Sequence, residues 1–135
     1  MVRRLAAAGL SIVVSQVLAQ EANWVVHGRT SVATIFIDHN SIKRINGATR
    51  IWVRSNYREP NNNVQFTQPA LSTLSQVLID CQAERWTLAY VAYYSQPDAK
   101  GIVVWSKTIP KEQLVPTPAA PDTLGAEYVA VGCKN

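Results

Sequence analysis

Residues 36–57 read FIDHNSIKRINGATRIWVRSNY, and this stretch decides the fold because it holds the strongest hairpin signal in the chain. The dipeptide Asn46-Gly47 is favoured in two-residue hairpin turns, which need positive φ at both central positions. Residues 42–45 precede the turn and residues 49–57 follow it. We therefore expect these two runs to pair as antiparallel strands.

The strand after the turn separates two kinds of side chain, because successive residues of a strand point to opposite faces. The face expected in the core carries Thr49, Ile51, Val53 and Ser55. The other face carries Arg50, Trp52 and Arg54. Two arrangements fit this second face. It is either an exposed ladder in which guanidinium groups flank the indole, or a buried Trp52 past which the arginines extend into water.

Further strands are expected on both sides of this hairpin. Their ranges are 21–28, 31–38, 73–82, 85–95 and 102–108. The run at 85–95, RWTLAYVAYYS, is the strongest, and strict alternation places Trp86, Leu88, Tyr90, Ala92 and Tyr94 on one face. Both of its faces are largely apolar, which favours a central position in the sheet.

The remaining segments connect these strands or close the chain. Residues 59–69 are rich in Asn and Pro and predict a loop, and residues 96–101 predict a turn. After the prolines of residues 110–121, Asp122 can cap a helix whose apolar stripe is Leu124, Tyr128 and Val131. The pattern predicts an α+β fold, with a single antiparallel sheet of about six strands and one C-terminal α-helix.

The N-terminal residues have the pattern of a secretory signal peptide. MVRRLAAAGLSIVVSQVLAQ combines a basic start, an apolar stretch and small residues before a cleavage site after Ala19. The alternative is an uncleaved N-terminal anchor. The predicted division is a signal peptide at 1–19 and one domain at 20–135. Without Arg3 and Arg4 the 13 basic residues become 11 against 9 acidic ones, so the domain carries +2 and no nucleic-acid partner is expected.

The chain has two cysteines, Cys81 and Cys133. Two cysteines in an exported domain usually form a disulfide, and the alternative is two buried free thiols. A bridge here would tie the helix to the strand ending at Cys81. Closing a loop of roughly 50 residues is worth about 4 kcal/mol in the chain-entropy model.

No catalytic, metal-binding or cofactor-binding pattern is recognisable. Asp38 and His39 are neighbours, and Asp38, Asn40 and Ser41 are typical turn residues, so we interpret them as turn chemistry. His27 is expected to be an exposed loop histidine at a strand end. Two histidines without an acidic partner at helical spacing make a poor metal site. The sequence favours a protein that is not an enzyme and uses no cofactor.

The order of several features resembles the surface-adhesin protein E family of bacterial secreted domains. These features are Trp24-Val25-Val26, the segment FIDHNSIKRINGATRIWV, Asp80-Cys81, the strand to Tyr93-Tyr94 and the ending Val131-Gly132-Cys133. The resemblance implies a sheet and C-terminal helix held by a Cys81–Cys133 bridge, and location in the envelope of a Gram-negative bacterium. It also implies binding of host extracellular-matrix or serum proteins and possible dimerisation. The lipid-anchor cysteine of the founding member is missing after the predicted signal, so a periplasmic location is as compatible as the outer surface.

We therefore expect an exported binding module that takes a protein or an envelope component as its partner. The candidate binding residues form a basic, Trp-containing set: Lys43, Arg44, Arg50, Trp52, Arg54 and Arg58. Arginine and tryptophan are enriched among interface hot spots. The alternatives are a solvated face without a ligand, or an accessory periplasmic protein that self-associates through an exposed strand edge.

Overall fold

One antiparallel sheet dominates the computed structural model, which describes residue 9 and residues 21–134. The strands are β1 (Trp24–Arg29), β2 (Ala33–Asp38), β3 (Lys43–Ile45), β4 (Ala48–Asn61), β5 (Ala70–Asp80), β6 (Arg85–Gln96), β7 (Lys100–Thr108) and β8 (Thr117–Pro118). Helix α1 (Leu124–Gly132) follows them. The predicted signal peptide lies, apart from residue 9, outside the described residues.

The strands follow a simple order, β1-β2-β4-β5-β6-β7, with β3 paired to β4 and β8 paired to β6. The predicted number of strands was too low, since the described sheet has eight strands, six of them in the main order. The strand β8 was missed because its two residues lie in a proline-rich segment. They pair with Trp86 and Arg85 only because the fold brings these segments together. The strand β6 has neighbours on both sides, but it lies next to the edge strand β7 rather than at the centre.

The hairpin predicted from Asn46-Gly47 is confirmed. Ile45 pairs with Ala48 across a two-residue turn, and the central residues have φ of 48° and 80°. Positive φ at both positions is the type I′ arrangement, whose twist matches that of the flanking strands.

The core lies on one face of the sheet, under α1. Ile37, Ile51 and Ile79 are fully buried there, and Tyr128 and Val131 of α1 pack against the same cluster. The predicted core face of β4 is confirmed, because Thr49, Ile51 and Val53 are buried and Ser55 is half-buried. The apolar stripe of the helix is confirmed as well, since Leu124 also packs against this cluster.

Helix α1 is held at both ends. Its N-cap is Thr123, whose hydroxyl accepts a hydrogen bond from the amide of Ala126, so the prediction of Asp122 as the cap was wrong by one residue. Asp122 instead has a left-handed backbone, with φ of 61°. At the other end the predicted disulfide is present and joins Cys133 to Cys81 over a separation of 52 residues.

A β-bulge in β6 corrects the predicted faces of that strand. Tyr90 pairs with Gln76 but Leu88 pairs with Val77, so Ala89 is an extra residue. The alternation therefore reverses at Ala89. Trp86 and Leu88 pack under α1, whereas Tyr90 points to the opposite face of the sheet.

The segment predicted as a loop at 59–69 is shorter in the structure. Strand β4 continues to Asn61, which pairs with Ala70 after an irregularity in register. The asparagines and Pro60 are tolerated because residues 58–60 are exposed at the far end of the strand.

Candidate functional site

The face of the sheet opposite α1 gathers most of the predicted binding residues. Lys43 lies opposite Arg50, and Trp52 lies opposite Gln76, which in turn lies opposite Tyr90. Residues paired across antiparallel strands share a face. Among the described residues the only α-helix packs on the other face. We call this surface the open face, and its members are Trp24, Phe36, Lys43, Arg50, Trp52, Arg54, Leu74, Gln76 and Tyr90.

Arg54 is a packed member of the open face. Its guanidinium carbon lies 4.6 Å from the ring centroid of Trp24 and 4.8 Å from that of Phe36. Its Nη2 is 3.3 Å from Oδ1 of Asp98, and only 14% of its side chain is exposed. Arg54 therefore fits neither predicted arrangement, because it stacks on aromatic rings from β1 and β2 and does not extend into water.

Trp52 lies in an aromatic pair at the middle of the open face. Its ring meets that of Tyr90 edge-on, with centroids 6.0 Å apart and an interplanar angle of 76°. Its backbone amide donates a hydrogen bond to Oγ of Ser41, which anchors this part of β4. Both rings are half-buried, so each still offers aromatic surface to a partner.

Lys43 and Arg50 give the open face an uncompensated positive charge. Neither forms a salt bridge with a carboxylate of the described residues. The Nε atom of Arg50 is buried without a hydrogen-bond partner, as is that of Arg54. Because Lys43 is exposed and Arg50 half-buried, their charges remain available to an acidic group of a partner.

The structure separates two of the predicted binding residues from this group. Arg44 pairs with Thr49, whose side chain belongs to the core face, so Arg44 points away from the open face. Arg58 lies at the far end of β4, where its amide donates to the carbonyl of Val32. There it lines a mostly apolar cleft of about 360 Å³ together with Tyr57 and Pro60.

The Asp38-His39 pair has the predicted turn geometry. Oδ1 of Asp38 accepts hydrogen bonds from the amides of Asn23 and Asn40 and caps the short 3-10 helix at 39–41. The hydroxyl of Ser41 donates to the carbonyl of Asp38. The carboxylate therefore holds backbone amides and does not orient an imidazole for catalysis.

The two histidines form a contact that the sequence did not reveal. Nε2 of His27 lies 2.7 Å from Nε2 of His39, and Nδ1 of His27 lies 3.2 Å from Oε2 of Glu127. The side chain of His27 is only 14% exposed, so the prediction of an exposed loop histidine was wrong. The sequence would have indicated this contact if the runs at 21–28 and 31–38 had been predicted to pair as a hairpin, because His27 lies in the first run and His39 follows the second.

Neither a metal cluster nor a membrane span was found in the part of the chain that the structure describes. Within residues 21–134 no group of three or more His, Cys, Asp or Glu side chains is arranged to hold a metal ion. No helix in the same range has the length and apolar character needed to cross a bilayer.

Comparison with known proteins gives one consistent result. A family model described as surface-adhesin protein E matches residues 24–134. No curated protein gave a significant match.

Three solved structures of one protein share the fold. Crystal form II of Haemophilus influenzae protein E is 17% identical, covers 85% of this chain and 96% of its own, and has a TM-score of 0.58. A second structure of that protein is 16% identical, covers 87% and 92%, and has a TM-score of 0.59. A third, from non-typeable Haemophilus influenzae, is 16% identical, covers 82% and 83%, and has a TM-score of 0.55. At identities of 16% and 17%, these similarities show a shared fold and no more.

Proposed function

This chain belongs to the surface-adhesin protein E family, and we propose that it is a non-enzymatic binding module of the cell envelope that holds a protein ligand on its open face. The partner class is a host extracellular-matrix or serum protein, or another envelope component. Family membership supports the adhesin-like role. The open face supports the choice of binding surface, because it carries partly exposed aromatic and basic side chains.

One observation carries the choice of surface. The aromatic pair of Trp52 and Tyr90 lies beside Lys43 and Arg50, whose charges are not neutralised within the described residues. Tryptophan, tyrosine and arginine side chains are the residues that interface hot spots favour. Arg54 has a structural role in the open face, because its charge is already neutralised by Asp98 and its guanidinium group packs against two aromatic rings.

Alanine substitution of Arg50 and Trp52 tests whether the open face is the binding surface. The probes are whole human serum proteins and solubilised extracellular-matrix extract, each immobilised and incubated with the purified chain. We expect the Arg50→Ala/Trp52→Ala variant to lose at least about 30-fold in retention, which corresponds to a hot-spot loss of roughly 2 kcal/mol. Arg44→Ala is the matched control, because it removes a neighbouring charge that points away from the open face. Equal retention of the double variant and wild type, with equal thermal unfolding, would reject the open face as the binding surface.

Self-association is a second candidate, favoured by the exposed edge of the sheet. Strand β7 ends the strand order, and Ile102 and Val103 on it are 57% and 48% exposed. Thr67 donates hydrogen bonds to the Val104 carbonyl of this strand; the other backbone groups along an edge strand are prone to pair with a second chain. Light scattering would then give the mass of two chains for wild type and one chain for Val103→Lys. A single-chain mass for wild type at high concentration would count against this candidate.

The envelope location is proposed from the family and the predicted signal peptide. An exported protein of a Gram-negative bacterium can face the periplasm or the medium. Protease treatment of intact cells separates these two locations. Digestion would indicate the outer surface that binding of host proteins requires, and protection would indicate a periplasmic partner.

A further inference from the structure

The histidine contact joins three separate elements of the fold. His27 lies at the irregular register of β1, between Val26 and Gly28. His39 begins the 3-10 helix after β2, and Glu127 lies on α1. The rings of the histidines are nearly parallel, with centroids 5.0 Å apart. The edge of the sheet, the turn at 39–41 and the helix therefore meet at one pair of imidazoles.

The number of protons on the two facing nitrogens determines whether this contact can form. A distance of 2.7 Å between the two Nε2 atoms is a hydrogen-bond distance, so one nitrogen must donate a proton and the other must accept it. When both imidazoles are protonated, both facing nitrogens carry a hydrogen and neither can accept. The contact then becomes a repulsion between two cations and must break.

Burial and the surrounding charges determine the pH at which the contact breaks. Burial lowers the pKa of His39 below its usual value of 6.5, the charges of His27 and Lys134 lower it further, and the Asp38 carboxylate opposes them. On the other side, the Glu127 carboxylate faces Nδ1 of His27. A lowered pKa in the folded state means that the contact is fully stabilising above pH 6.5. Its contribution is lost as the pH falls from 6.5 through the lowered value.

We infer that His27 and His39 form an acid-sensitive latch, which holds the β1 edge and the 39–41 turn in place near neutral pH and releases them in acid. The latch adjoins a cleft of about 620 Å³ between β1 and α1, lined in part by His27, Arg29, Leu124 and Glu127. Release would free this edge while the disulfide keeps the end of α1 on the sheet. The latch does not depend on which ligand the open face binds.

Hydrogen exchange on the full chain tests the latch through one local bond. The amide of His39 donates to the carbonyl of Asn23, at 2.9 Å, and reports whether the β1 edge is closed. After correction for intrinsic rates, its protection should fall between pH 7.5 and pH 5, by about tenfold for each unit by which folding lowers the pKa of His39. The amide of Val77, in the centre of the sheet, should keep its protection over the same range.

Two variants separate the latch from a merely structural contact. His39→Asn keeps a polar side chain without an imidazole, and His27→Gln does the same on the opposite side. Provided that each variant retains the wild-type fold, we expect the pH dependence of the reporter amide to disappear in His39→Asn. In His27→Gln it should become weaker, because burial still lowers the pKa of His39 there. Unchanged pH dependence in such a variant, or loss of protection at Val77 together with the reporter, would overturn the inference. An NMR titration of His39 that is identical in wild type and in His27→Gln would overturn it as well, because pairing would then have no effect on the proton of His39.

Discussion

Substitution of Gly125 by alanine sets helix propensity against packing. Gly125 is the second residue of α1, in its first turn, where alanine is favoured over glycine by up to about 1 kcal/mol. Propensity alone therefore predicts that Gly125→Ala stabilises the fold. The structure predicts the opposite, because Gly125 is buried at the contact between α1 and β6.

The geometry gives the size of the effect. A Cβ atom on Gly125 would press on Nε1 of Trp86 and lie 2.7 Å from its Cδ1. The indole cannot yield easily, since Tyr128 packs edge-on against it with centroids 5.5 Å apart. Overpacking of this kind costs typically 1–3 kcal/mol, so after the gain in propensity we expect a net loss of about 1 kcal/mol.

Urea denaturation followed by far-UV circular dichroism measures this loss with the disulfide intact. Ala130→Gly, at an exposed position of the same helix, is the propensity control and should cost about 1 kcal/mol. In a Trp86→Leu background the obstruction is gone, and Gly125→Ala should stabilise by up to about 1 kcal/mol. Stabilisation by Gly125→Ala in the wild-type background would refute the close approach of α1 to Trp86.

Three further perturbations have defined outcomes. Replacing Cys81 and Cys133 by serine should lower the free energy of unfolding by about 4 kcal/mol, because a loop of 52 residues is no longer closed. Urea denaturation measures this loss, and an unchanged midpoint would show that the disulfide does not stabilise the fold. Arg54→Ala should cost about 2 kcal/mol by the same assay through loss of its aromatic contacts. Asp98→Asn should cost less than about 1 kcal/mol, because 46% of the Asp98 side chain is exposed and solvent weakens the ion pair; equal losses would contradict the stacking argument. Burial raises the pKa of Tyr128 to about 12, so stability present below pH 10 should fall as the pH rises from 10 towards 12. Burial raises the pKa of Tyr57 and Tyr94 as well, so phenolate absorbance should show several tyrosines ionising late, Tyr128 among them; ionisation of all tyrosines near pH 10 would contradict this burial.

The parts of the fold that the sequence predicted depend on local or strictly periodic signals. Asn46-Gly47 defines its turn through the positive φ of two adjacent residues. The faces of β4 follow from alternation, and the stripe of α1 follows from helical spacing. The disulfide followed from having two cysteines in a chain with a predicted signal peptide, without any knowledge of the fold.

The parts that were missed depend on contacts between distant segments. A bulge at Ala89 leaves no trace in an apolar run, yet it moves Trp86 and Tyr90 to opposite faces. The aromatic partners of Arg54 come from β1 and β2, whereas sequence reasoning could consider only its neighbour Trp52. For the candidate site, alternation correctly grouped Arg50, Trp52 and Arg54. Arg44 and Arg58 were grouped with them by proximity in sequence, which cannot show pairing register or strand ends. The structure places Arg44 on the other face and Arg58 at the far end of β4.

Placing a photo-cross-linking residue at Gln76, between Trp52 and Tyr90, tests most directly whether the open face is where this protein binds. The same residue at Ala130, exposed on α1 on the other side of the sheet, is the matched control. After irradiation with serum proteins or matrix extract, the open-face position should form adducts of higher mass and the helix position should not. An adduct with twice the mass of the chain would indicate self-association instead. Adducts that form only from Ala130, or equally from both positions, would contradict binding at the open face.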